Sequence, residues 1–125
     1  MQVDFKVVQL LSSRLCHDLV GPAGAVQNGI ELFRELGSDE DNSALDIVAL
    51  SGEQLSARLA FFRMTFGLGG FSGNQTPLVE AHDLAQSFLA GSHISLDWPV
   101  ESCVNIGRAI KSPVIKLLLN MILVA

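Results

Sequence analysis

The sequence predicts a mainly α protein: an antiparallel helical hairpin that dimerises into a four-helix bundle, followed by a small α/β part. Three observations predict it. The composition is 49% hydrophobic but only 6% aromatic, which favours helices packed on helices. Apolar residues recur at helical spacing along two long stretches of the first half. Beyond a glycine-rich break the pattern shortens, and strict alternation replaces helical periodicity.

In the first stretch, Val8, Leu11, Leu15, Leu19, Pro22, Val26, Ile30 and Phe33 follow one another by 3, 4, 4, 3, 4, 4 and 3 residues. That is the spacing of one buried helix face. The helix is expected from about Asp4, a good N-cap, to Leu36, with Gly37 ending it. Pro22 inside the span should remove one backbone bond and bend the helix. At roughly 100° per residue, His17 points about 180° from the stripe and so faces outward. The face around it includes Ser13, Gly21, Gly24 and Asn28, with Leu10 and Val20 near its edges. Glycine costs roughly 0.5–1 kcal/mol inside a helix relative to alanine. Two glycines beside an exposed histidine therefore point to the close approach of another backbone. An imidazole held in solvent on a rigid helix suits capture by another protein better than work in a closed pocket.

Ser38-Asp39-Glu40-Asp41-Asn42 reads as an acidic turn with several possible caps for a second helix. That helix runs through Phe66, with Leu45, Val48, Leu55, Leu59, Phe62 and Phe66 on one face and Gly67 as its stop. Gly52 falls where a core residue is expected and is read as a point of close helix contact. A hairpin of two such helices leaves much apolar surface wet, and pairing two hairpins covers it, so a homodimer is expected. The domain division is residues 1–67 for the hairpin, 68–76 for a linker and 77–125 for the α/β part.

Thr76-Pro77 opens a third helix to about Leu89 as an N-cap and first-turn pair. Ile94, Leu96 and Trp98 alternate with Ser95 and Asp97, which predicts a short strand over His93–Trp98, ended by Pro99. A second, weaker strand is read at Cys103–Ile106. Ser112-Pro113 caps a last helix over Val114–Ala125, whose apolar character to the final residue reads as the opening of a larger α/β domain.

Thirteen acids against eight bases give a net charge of −5. With no run of Lys and Arg to neutralise a phosphate backbone, nucleic-acid binding is not expected. The start, Met-Gln-Val-Asp-Phe, has neither a basic nor an apolar signal region, and the run Leu117–Ala125 is too short to span a bilayer. A cytoplasmic protein away from the membrane follows, with Cys16 and Cys103 reduced. Cys16 diverges from His17 by about 100° and no third ligand is spaced to help, so no metal site is read there. His82-Asp83 and His93 read as packing or structural residues.

His17-Asp18-Leu19, Pro22 five residues after the histidine, Val26 nine after it and Glu31-Leu32 beyond resemble the H-box of two-component histidine kinases. The run H-D-L-V-G-P-A-G-A-V-Q-N-G-I-E-L from His17 is more closely similar to ChpT-type alphaproteobacterial histidine phosphotransferases. R-M-T-F-G at Arg63–Gly67 is similar to a signature ending the second helix in that family. The resemblance implies a phospho-accepting His17, supported by Asp18, on a dimeric four-helix bundle. It also implies that 77–125 is a partial, degenerate kinase ATP-binding-like α/β domain. The function implied is a phosphorelay, with phosphoryl groups shuttled between receiver domains of a hybrid histidine kinase and of response regulators. Leu10, Ser13, Arg14, Val20, Gly21, Gly24 and Asn28 would then form the receiver-docking face. The chain itself would bind no cofactor, the receiver bringing Mg²⁺. Two departures from the kinase pattern narrow this. Gly21 stands where many kinases carry a water-positioning Thr or Asn, which argues against phosphatase action. Val124 stands where the kinase N-box places a magnesium-coordinating Asn, and valine offers no oxygen to a hard cation. A fragment of an ATP-dependent histidine kinase, or a receiver-binding module without chemistry, are the competing readings.

Overall fold

The computed structural model describes residues 2–36, 43–67, 70–73, 75–106 and 110–125, leaving out the side chains of 105 and 106. Five helices follow in order: α1 (Phe5–Leu36), α2 (Ser43–Phe66), α3 (Pro77–Leu89), α4 (Val100–Ile106) and α5 (Ser112–Val124). They form two compact units, Met1–Arg58 and Leu59–Ala125, so α2 contributes to both. No helix among the described residues is long and apolar enough to cross a membrane.

In the first unit, α1 begins as its sequence demands. The Asp4 carboxylate accepts from the Lys6 N–H at 2.9 Å, satisfying one of the donors that a helix start leaves open. The expected stop at Gly37 and the caps at 38–42 lie outside the described residues. Of the expected stripe, Pro22 is buried and Leu11, Leu15, Leu19, Val26 and Phe33 are half-buried, whereas Val8 and Ile30 are exposed. On α2, Ala44, Val48, Ser51, Leu55 and Arg58 are buried or half-buried at steps of 4, 3, 4 and 3, a seven-residue seam. Leu45, expected on the buried face, is exposed. The helices run antiparallel, since Gly29 lies against Ala44 and Val48 while Asp18 is bonded to Arg58. Gly29 is the glycine of close approach. A Cβ there would stand 2.6 Å from Val48 Cγ2 and 3.3 Å from the Ala44 carbonyl oxygen. Around Gly52 a Cβ would meet nothing within 4 Å among the described residues, which corrects the expectation of a close contact there within the hairpin.

In the second unit, the core gathers Phe61, Phe62 and Met64 of α2, Leu78, Ala81 and Ala85 of α3, Cys103 of α4 and Ile115, Leu119 and Leu123 of α5. Phe88 stacks on Phe61 with ring centres 4.2 Å apart and meets Phe62 edge-on at 5.7 Å. Leu59, expected on the buried face of α2, is exposed. Gly67 follows the last turn of α2, and Lys116 of α5 donates to its carbonyl at 2.6 Å, a cation placed at the negative end of a helix. Pro77 begins α3 as expected, but the Thr76 hydroxyl makes no capping bond, and its buried oxygen has no partner among the described residues. Ser112 is already helical, so Lys111 takes the N-cap of α5 instead.

The expected α/β character is corrected: no strand forms among the described residues. His93–Trp98 is not helical, yet it has no neighbour to make a ladder with. The Leu96 carbonyl instead accepts from Gln86 Nε2 at 3.1 Å, and Trp98 meets His82 edge-on at 5.3 Å. Its alternation reports half-burial of Leu96 and Trp98 beside α3, not a sheet. Cys103–Ile106, read as a strand, belongs to α4. Pro99 sets the chain direction just before that helix, and its carbonyl accepts from the Ser102 N–H at 3.1 Å, an opening turn with a pre-set φ.

Candidate functional site

Consecutive helical residues diverge by about 100°, and this separates His17 from Asp18. The His17 side chain is 86% exposed and that of Asp18 only 16%. Arg14, one turn earlier, donates Nε to Asp18 Oδ2 at 3.0 Å. The other oxygen, Oδ1, lies 3.6 Å from His17 Nδ1, an ion-pair distance slightly beyond hydrogen-bond length. A carboxylate on that side favours the proton at Nδ1 and leaves the Nε2 lone pair free toward solvent.

The remaining residues singled out from the sequence are assembled around this pair. Leu10, Ser13, Arg14, Val20, Gly21, Gly24 and Asn28 all lie within about 60° of His17 around the α1 axis, and all are exposed. From Leu10 to Asn28 the face is roughly 27 Å long at about 1.5 Å per residue. Leu10 and Val20 add apolar area to it, at 62% and 68% exposure. A Cβ at Gly21 or Gly24 would meet nothing within 4 Å among the described residues.

One residue escaped the sequence reading. Pro22 has no N–H, so the Asp18 carbonyl four residues back loses its helical donor. Arg58 Nη1 of α2 donates to that oxygen. The available signal was an arginine at a seam position of the second helix together with a proline inside the first.

Elsewhere the chemistry is structural. No group of three His, Cys, Asp or Glu able to hold a metal ion exists among the described residues. His82 is mostly buried, with Nδ1 3.0 Å from Asp83 Oδ1, and its ring packs on Trp98. His93 is exposed on an irregular segment. Cys16 and Cys103 are both free thiols. Burial, and after it the charge of Asp83, pushes the Cys103 thiol above its ordinary range. Val124 is exposed at the end of α5, and the Asn120 side chain is turned back to the Lys116 carbonyl at 2.8 Å.

An antiparallel helical hairpin bearing one solvent-facing histidine, with an aspartate clamped beside it, defines a class of helical-bundle protein built to present an imidazole. Comparison narrows the class. No family model matches the chain. Over 117 residues it is 38% identical to the protein phosphotransferase ChpT of Brucella abortus (strain 2308), covering 92% of this chain and 52% of that protein. The chain spans about half the length of the relative it matches.

Proposed function

We propose that this chain passes phosphoryl groups between receiver-domain aspartates through a phosphohistidine on His17. The observation that carries the reading is the outward imidazole with Asp18 beside its Nδ1, on a chain similar to a named phosphotransferase. In the forward step the Nε2 lone pair attacks the phosphorus of an aspartyl phosphate. The bond from phosphorus to the aspartyl oxygen breaks, and its electron pair leaves with the carboxylate. The ring keeps its Nδ1 proton and becomes cationic, a charge that Asp18 stabilises. The second receiver's aspartate then attacks phosphorus, and the N–P electron pair returns to Nε2. The transition state is loose, so positioning and charge neutralisation do most of the work.

In this reading magnesium comes with the receiver and would neutralise the phosphoryl oxygens. ATP-driven phosphorylation is not part of the proposal: Val124 offers no oxygen where a kinase needs one. Leu10, Ser13, Arg14, Val20, Gly21, Gly24 and Asn28 form the docking face, with a cytoplasmic hybrid kinase and response regulators as donor and acceptor. A homodimer through α1 and α2 covers apolar residues that a single chain leaves exposed, among them Val7, Val8, Leu45, Ile47 and Leu50. Purified receiver domains carrying labelled aspartyl phosphate test the core of this. Label should reach the wild-type chain and then a second receiver, and His17→Ala should accept none. Equal labelling of the two chains would refute it.

A further inference from the structure

The pair that presents the phosphoryl acceptor lies on α1, yet part of its geometry is held from α2. Within α1 the Asp18 carbonyl would ordinarily accept from residue 22, and Pro22 has no proton to give. Arg58 supplies the missing donor across the hairpin. Arg58 occupies a seam position after Ala44, Val48, Ser51 and Leu55, where a guanidinium is expensive unless it is bonded. Among the described residues the Asp18 carbonyl is its only hydrogen-bond partner. An alanine in place of Pro22 would satisfy the same oxygen within α1, without help from another helix. The proline and the arginine together replace an internal bond with an inter-helix one, on the residue next to His17.

We infer that Arg58 is a positioning residue for phosphotransfer: through the carbonyl that Pro22 frees, it holds the turn carrying His17 and Asp18 and so aims Nε2. This rests on the phosphotransfer reading above. Arg14 and Arg58 then divide one task, the first orienting the Asp18 carboxylate and the second its backbone. The hydrogen bond matters here, not the charge, and that distinction is testable.

The test is a double-mutant cycle of Arg58→Met with Pro22→Ala, in the full chain, measured by transfer from a phosphorylated receiver domain. Restoring the N–H at position 22 gives the Asp18 carbonyl an internal donor and should make Arg58 dispensable. With Pro22 present, Arg58→Met should lower the maximal transfer rate on the order of 10-fold, as a slight misalignment of reacting groups does. The receiver concentration at half-maximal rate should stay within about 2-fold, since docking is untouched. In the Pro22→Ala background, the same substitution should cost less than about 2-fold in maximal rate. Melting curves on all four chains check folding. If Arg58→Met alone does not fold, Arg58→Gln takes its place in the cycle, removing the charge and the reach to the Asp18 carbonyl while keeping a polar end at the seam. Equal losses with and without Pro22→Ala would overturn the proposal and assign Arg58 a role through its charge. A loss confined to half-maximal receiver concentration would overturn it in favour of docking. A wild-type chain that accepts no phosphoryl group at all would instead sink the phosphotransfer reading itself, and this inference with it.

Discussion

Adding one methyl group at Gly24 and one at Gly29 should move the stability of the hairpin in opposite directions. Both glycines lie inside α1, and replacing either by alanine gains about 1 kcal/mol of helix propensity. At Gly24 the new Cβ meets nothing within 4 Å, so that gain is realised in full. At Gly29 the Cβ would stand 2.6 Å from Val48 Cγ2, about 1 Å inside ordinary carbon–carbon contact. Val48 cannot swing aside easily, because a β-branched side chain in a helix has one strongly preferred rotamer. The Ala44 carbonyl oxygen at 3.3 Å is backbone and moves only with α2. Overpacking of this kind costs roughly 1–3 kcal/mol, which equals or exceeds the propensity gain. The two variants should therefore differ by about 1–3 kcal/mol, several degrees in Tm at roughly 2–8 °C per kcal/mol. Thermal melts followed by circular dichroism at one protein concentration measure this directly. Gly29→Ala melting with or above Gly24→Ala would refute the packing account of Gly29.

Three further outcomes follow from the same geometry. Gly24→Leu should keep or slightly raise the melting temperature while phosphotransfer from a receiver falls, because bulk is added only on the His17 face; a variant that melts early yet transfers at the wild-type rate would refute the docking face. In the proposed homodimer Leu50→Lys should shift the chain toward monomer, since an unpaired charge in an apolar interface costs several kcal/mol; sedimentation showing the wild-type chain as a stable monomer at micromolar concentration would refute the dimer. The raised pKa of Cys103 makes a pH forecast. Above about pH 8.5 the unfolded chain loses its thiol proton first, so the folded state binds more protons and stability falls as pH rises, until the higher folded value is passed. Urea denaturation at about pH 7 and about pH 9.5 should show that fall reduced in Cys103→Ala, and an equal fall in both chains would refute the assignment.

The parts of the fold that were legible in the sequence are those whose signal is local. Asp4, Phe66 and Pro77 mark helix ends through capping and turn chemistry that acts over a few residues, and the ends fell where they were expected. The outward direction of His17 followed from counting against the apolar stripe. What failed needed partners far away in sequence. The alternation of Ile94, Leu96 and Trp98 says that one side is drier than the other, and a strand needs a second strand to bond with. The seven residues of α4 are too few to show a period, so the turn after Pro99 carried the only clue. Gly52 and Gly29 are equivalent in composition, and only the pairing of α1 with α2 decides which one meets a side chain. Arg58 is the clearest case, because its partner is a backbone oxygen 40 residues away, and no side-chain pattern records that oxygen's missing donor.

The hairpin's two cross-contacts also imply an order of assembly. Gly29 meets Ala44, 15 positions along the chain, while Asp18 meets Arg58, 40 positions along. Loop-closure entropy makes the longer closure less favourable by about 0.9 kcal/mol if each is formed from the open chain. The shorter loop closes first, and pairing then advances along the helices toward Asp18 one turn at a time. The turn that bears His17 is thus paired after the turn at Gly29 and opens before it. Backbone amides around Asp18 should exchange with deuterium ahead of those around Gly29, so the imidazole sits on the stretch of α1 that yields more readily of the two.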